Sequence, residues 1–339
     1  MIRALILLAW LLAALPAVAE PLRIGLLHTL SPAPLYIAME RGYFRDEGLD
    51  AQFRFFEAAQ PIAAAAVSGD IDVGLTALTG GFFSLAGRGT LKVIGGALHE
   101  QKGYEGTAVL VSRKAYDAGL TSLAKLPGHS LGITQFGSSF HYMAGRIAEH
   151  EGFDIKAVTL RPLQGIGNML AAVRTGQVDA TMGVASMVRP LEEAGEVRII
   201  GWAGDVAPYQ ITAVFAPSAM VRDHADTLER FARAYRRAVD DYREAFLRHD
   251  AAGRPVVDAA THAAAALIQK YVFTGDKDGA HKIIEGVGYY DPGGRLDVAD
   301  VADQLRWFVA QGLVKTQADA ADIIDTRFLG ALPGPAAGK

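Results

Sequence analysis

The chain has 339 residues, half of them apolar, which is enough to fill more than one core; at this length two domains are the default expectation. Its 33 Lys and Arg against 37 Asp and Glu leave a formal net charge of −4, which argues against a nucleic-acid footprint. The absence of cysteine excludes a disulfide framework, a thiolate metal site and a lipid anchor on an N-terminal Cys.

In chain order, residues 1–19 read first, as a cleavable secretory signal. Arg3 supplies the positive start, Ala4 to Leu15 is an unbroken apolar run, Pro16 breaks it, and Ala17-Val18-Ala19 offers small residues for cleavage before Glu20. A spanning helix needs about 20 apolar residues, so a membrane anchor is the weaker reading, and no later segment is long and apolar enough to span. An exported, unanchored chain would be lost from a cell with one membrane. The periplasm of a Gram-negative bacterium is the expected compartment, with no part of the mature chain inserted in the membrane.

From residue 22 onward, strand-like runs alternate with helical patterns, which predicts parallel sheets flanked by helices. One set of strands is expected at 22–27, 51–56, 71–75 and 91–97, and a second at 131–134, 158–161, 180–184 and 197–202. Helices are expected at 36–45, 60–68, 140–150 and 169–175. The two sets look like imperfect copies. Glu47-Gly48-Leu49-Asp50 recurs as Glu151-Gly152-Phe153-Asp154, and Ser68-Gly69-Asp70-Ile71-Asp72 as Thr175-Gly176-Gln177-Val178-Asp179. In each copy a helix ends, Gly supplies a left-handed cap and a strand begins. Two similarly wound lobes are expected, although shared turn chemistry produces single matches of this kind. The polar segments 99–106 and 204–210 are surface loops or crossings between the lobes. Beyond residue 217 the pattern is mostly helical, at 223–248, 257–271, 276–285 and 298–311, before a Pro/Gly/Ala-rich tail at 333–339 that is expected to lack order.

Several of these pieces carry a resemblance. They are Ile24-Gly25-Leu26, Pro34-Leu35-Tyr36-Ile37-Ala38, Gly42-Tyr43-Phe44-Arg45-Asp46-Glu47-Gly48-Leu49, the run 64–74, Leu123 to Gly132, Gly137-Ser138-Ser139 and the run 171–180. Together they resemble the substrate-binding proteins of ABC importers for sulfonate, taurine, nitrate and thiamine precursors, the NMT1/THI5-like family. The Gly-Tyr-Phe…Glu-Gly-Leu element is the most specific part, and coverage is most of 22–215. The resemblance implies an α/β type II periplasmic binding-protein fold, with two α/β lobes joined by two crossing segments and the ligand in the cleft. On that plan 20–101 and 211–332 form one lobe and 102–210 the other. It further implies a monomer that needs no cofactor or metal, takes a small-molecule ligand and docks on an ABC permease in the inner membrane.

In open α/β sheets ligands sit beyond the C-terminal ends of strands, against helix starts. That rule selects the loops holding His28 and Ser31, then Thr79 and Gly80, then Phe136, Ser138, Ser139 and His141, then Asn168, and then Ser186. Thr79, Ser138 and Ser139 are N-caps or ligand contacts, and the two roles are compatible. Tyr36, Phe136, Phe140, His141 and Tyr142 line the cleft for a flat ligand or face a core. His28 donates to an anion or caps its loop. Arg189 is an exposed helix arginine or reaches an anionic group, and Tyr209 faces the cleft or packs in the hinge.

The leading function is a transport receptor for a small organic anion, a sulfonate or carboxylate that is aromatic or not. The alternatives are a receptor for a pyrimidine or thiamine precursor, a sensory module with the same cleft, and an enzyme on the same fold. The sequence holds no G-x-S-x-G elbow, P-loop or H-E-x-x-H, and an export signal argues against a cytoplasmic pathway enzyme.

Overall fold

The structure, a computed structural model, describes residues 19–333, so the signal read at 1–19 and the tail read at 333–339 lie almost wholly outside the described residues. The strands are β1 (Glu20–Leu27), β2 (Leu49–Phe56), β3 (Val73–Ala77), β4 (Leu91–Gly96), β5 (Leu98–Glu100), β6 (Thr107–Ser112), β7 (Ser130–Ile133), β8 (Thr159–Pro162), β9 (Ala180–Val184), β10 (Val197–Trp202), β11 (Tyr209–Gln210), β12 (Thr212–Pro217) and β13 (Tyr289–Tyr290). They build one sheet in the order β2-β1-β3-β12-β4, a second in the order β8-β7-β9-β6-β10, and a small ribbon β11-β5-β13. The two large sheets repeat one winding: β1, β2, β3 and β4 occupy the places of β7, β8, β9 and β10.

The recurrent sequence pieces show why. Gly48 and Gly152, Gly69 and Gly176, all have φ between 71° and 81°, the left-handed conformation that releases the chain from a turn toward the next strand. The aspartate that closes each longer repeat then ties two strands together. Asp72 accepts the Arg23 N–H at 2.7 Å, and Asp179 accepts the Ser130 N–H at 2.8 Å. Each carboxylate thereby satisfies a backbone donor on a neighbouring parallel strand, β1 in the first sheet and β7 in the second.

The sheets are mixed rather than parallel. β1 runs parallel to β2 and β3, and β7 to β8 and β9. β12 lies antiparallel between β3 and β4, and β6 antiparallel between β9 and β10. Each inserted strand arrives from the other sheet, so it enters its own sheet from the opposite end. The chain passes between the sheets twice, after β5 and before β11, and these two strands pair with each other in the ribbon.

C-terminal helices cover the first sheet. The helix Ala225–Phe246 buries Leu228, Phe231, Tyr235, Val239, Tyr242 and Phe246 along one stripe, at the spacing of a helix with a single apolar face. Phe231 stacks between Phe44 and Tyr235, with ring centroids 6.0 and 5.8 Å away. The helix Val298–Ala310 reaches the other half of the molecule, where Trp307 lies against Gly145 of the helix Ser139–Glu151. A Cβ at Gly145 would overlap the indole, so glycine is what admits the ring. No described helix is long and apolar enough to cross a membrane.

Candidate ligand-binding site

A cavity with about 70 Å³ of room for the centres of water-sized molecules, partly open to solvent, lies between the two large sheets. It meets the C-terminal ends of the parallel strands, as the strand-end rule expects. Five helices begin at its wall: Ala59–Ser68, Gly80–Ala86, Ser139–Glu151, Ile166–Arg174 and Ala185–Glu193. Each helix start carries a partial positive charge and N–H groups without intrahelical partners.

Side chains cap two of these starts. Thr79 Oγ1 accepts the Phe82 N–H at 3.1 Å, and Ser138 Oγ accepts the His141 N–H at 3.3 Å. Ala58, Gly165 and Val184 cap the others without any side-chain bond. Eight hydroxyl side chains line the cavity: Thr29, Ser31, Thr79, Thr107, Thr134, Ser138, Ser139 and Thr212. Among the lining residues Glu57 is the sole ionisable side chain, with no Lys, Arg or His beside it. Phe140, Ile166, Leu98 and Ile211 supply the apolar part. The two halves touch at the rim, where the Gly80 N–H donates to the Gly137 carbonyl at 2.8 Å.

Of the residues singled out by sequence, Ser31, Thr79, Ser138, Ser139 and Phe140 are brought together on the cavity wall. Ser31 is held there by its hydroxyl on Thr212 Oγ1 at 3.3 Å and by the Tyr290 hydroxyl on its carbonyl. Gly80 closes the rim. His28 and Ser186 line an adjoining pocket at the cleft mouth, with Tyr271, Val272 and Phe273, and His28 packs on Phe55 at 4.3 Å.

The remaining candidates sit elsewhere. Tyr36 is buried in the core, stacked on Tyr271 at 4.6 Å, and its hydroxyl steadies the loop that follows β1 from 3.3 Å to the Leu27 and Thr29 carbonyls. Phe136 is 54% exposed and away from the cavity wall. His141 is buried against Trp307 and its Nδ1 accepts the Gly137 N–H at 3.1 Å; burial pulls its pKa below the ordinary value. Asn168 is exposed and bonds the Leu163 carbonyl. Arg189 pairs with Glu105 and Glu192 and lies over Trp202 at 5.0 Å. Tyr209 is buried on the ribbon against Tyr142, at 5.2 Å, and its hydroxyl has no partner among the described residues. No group of His, Asp and Glu among the described residues is placed to hold a metal ion.

Sequence reasoning missed Thr107, Thr212 and Glu57. The first two open β6 and β12, strands that the periodicity did not reveal. Thr134 and Gln135 sit at the edge of a loop that the strand-end rule had already selected.

A family model described as NMT1/THI5 like matches residues 30–245, well over half of the chain. No curated protein matches it by sequence. Among solved structures it is similar to the alkanesulfonate-binding protein SsuA from Xanthomonas axonopodis pv. citri bound to MOPS, at 18% identity and TM-score 0.69, covering 93% of this chain and 100% of that one. The zinc-bound ligand-binding component of an ABC-type import system from Staphylococcus aureus aligns at 14% identity and TM-score 0.68, covering 91% and 98%. The periplasmic nitrate-binding protein NrtA from Synechocystis PCC 6803 aligns at 14% identity and TM-score 0.64, covering 89% and 84%. Likeness at this identity establishes the type II periplasmic binding-protein fold.

Proposed function

This chain belongs to the NMT1/THI5-like family, and from that membership we propose that it is the exported solute-binding subunit of an ABC importer. It captures a small organic anion between its two lobes and hands it to an inner-membrane permease. The observation that carries the reading is the convergence of five helix starts and eight hydroxyls on one interlobe cavity with no cationic side chain. Dipoles and hydroxyl donors solvate a sulfonate or carboxylate there without a buried counter-charge. The solved structures it resembles are described as binding proteins, which supports a receptor over an enzyme on the same fold.

A thermal-shift panel of ethanesulfonate, nitrate, benzoate and thymine tests it. A ligand that binds only the folded state at a hundredfold excess over its Kd adds about 2.7 kcal/mol of stability, which reads as a rise of several degrees in Tm. A shift with one of the anions is expected. A shift with thymine alone would sink the anion assignment and favour the pyrimidine-precursor receptor, the reading that a wall without Lys, Arg or His also supports.

A further inference from the structure

β5 ends in Glu100, whose side chain is 1% exposed. Both of its oxygens turn to Thr107 across the first pass between the sheets. The Thr107 N–H donates to Oε2 at 3.1 Å, and Thr107 Oγ1 forms a short hydrogen bond with Oε1. Thr107 is fully buried and lines the ligand cavity, so Glu100 stands one hydrogen bond behind the cavity wall. A Cβ at Gly106 would overlap Glu100 Oε2, and glycine at that position is what lets the carboxyl close on Thr107.

Among the described residues no Lys or Arg bonds this carboxyl. The titratable groups facing it are His99 beside it on β5, ion-paired with Asp291, and Tyr209 opposite it on β11, with Asp300 beyond. Burial holds the Glu100 carboxyl above its ordinary pKa, against the pull of the two Thr107 bonds and of His99.

A threonine hydroxyl has one proton to give. An ionised carboxylate only accepts, so with Glu100 ionised the Thr107 proton points at Glu100 and only oxygen lone pairs face the cavity. Those lone pairs repel an anion. With a proton on Glu100, the carboxyl donates to Thr107 Oγ1 and the hydroxyl proton is free for a ligand oxygen. We propose that Glu100 is a positioning residue that sets Thr107 as donor or acceptor, so that anion binding in the cavity is linked to protonation of Glu100. The proposal rests on the anion reading above.

The test measures the affinity of ethanesulfonate and nitrate by calorimetry from about pH 5 to about pH 9, for wild type and for Glu100→Gln. One linked proton weakens wild-type binding by up to about tenfold per pH unit once the carboxyl ionises. Glu100→Gln, whose amide donates to Thr107 as the protonated acid does, is expected to bind as wild type does at low pH and to lose the slope. Thr107→Val is expected to bind weakly at every pH. A wild-type affinity independent of pH, or an unchanged slope in Glu100→Gln, overturns the proposal. If neither anion binds, the anion reading fails and the infrared difference between wild type and Glu100→Gln decides the rest. A protonated-carboxyl stretch that persists above the ordinary glutamate range is then expected, and its absence overturns the role of Glu100.

Discussion

Tyr209→Phe removes one oxygen and should make the protein more stable. The phenol is 1% exposed on the ribbon, and its hydroxyl finds no hydrogen-bond partner among the described residues. Burial drives its pKa well above the ordinary value, so the group is a neutral hydroxyl buried without a partner. An unsatisfied buried donor costs about 1–3 kcal/mol. Phenylalanine keeps the ring contact with Tyr142 and leaves no cavity beyond a single oxygen. At about 2.1 cal/mol/K of unfolding entropy per residue, a fold of this length shifts by roughly 1.5 °C per kcal/mol. The expected gain is therefore about 1.5–4.5 °C in Tm. Differential scanning fluorimetry of the ligand-free protein reads it directly. A fall in Tm of similar size would refute the reasoning, because it would mean that the hydroxyl is bonded in the folded state. A loss of ligand affinity at unchanged stability would instead place that hydroxyl on the ligand.

Thr79→Ala and Ser138→Ala separate cap from contact: each loses a cap worth about 1 kcal/mol, seen as a drop of one to two degrees in Tm, and affinity for the bound anion should fall as well. Unchanged affinity in both would leave them as caps alone. Asp300 gives a pH dependence with a definite sign. Burial raises its pKa from 3.8 to about 6, with Asp297 adding to the rise while the bonds from Gln304 and Gln210 and the charge of His99 oppose it. A raised carboxyl favours the folded state when protonated, so its contribution is full below pH 4 and is lost as pH rises through about 6. The lost term is on the order of 3 kcal/mol for a shift of about two units. Asp300→Asn keeps an oxygen for the Gln210 N–H and the Gln304 amide, so denaturant titrations should find it as stable as wild type near pH 4 and more stable above pH 6. A wild-type and variant difference that does not change with pH would contradict the assignment.

The strands legible in the sequence were those bounded by local turn chemistry. All eight expected strands are present within two residues of their ends, because Gly48, Gly69, Gly152 and Gly176 mark the turns that precede four of them. The helices were legible for the same reason, with two exceptions: the helix expected at 36–45 is broken at Gly42, whose φ of 75° separates Ala33–Glu40 from Tyr43–Asp46, and the pattern at 223–248 hides a break at His224, which separates Ser218–Asp223 from Ala225–Phe246. β6 and β12 were not legible. β6 is buried throughout and β12 at all but its last residue, so neither alternates, and their partners β9 and β3 lie far away in sequence. Nothing local distinguishes such a run from a buried helix segment.

That omission explains which site residues were missed. A search of the C-terminal ends of parallel strands finds Thr79 and Ser138 but passes over a strand that runs the other way. An antiparallel strand inserted into the same sheet begins where its parallel neighbours end, so its first residue stands at the ligand edge. Thr107 opens β6 opposite Val184, the last residue of β9, and Thr212 opens β12 opposite Ala77, the last residue of β3. All four line the cavity. Each pass of the chain between the sheets therefore delivers a threonine to the site at the point where the pass ends. A change in the angle between the two sheets must move Thr107 and Thr212 relative to one another. On the proposed binding role, the residues that end each pass would serve as both hinge and ligand contact, and a substitution elsewhere in either pass should alter affinity even when it touches no ligand.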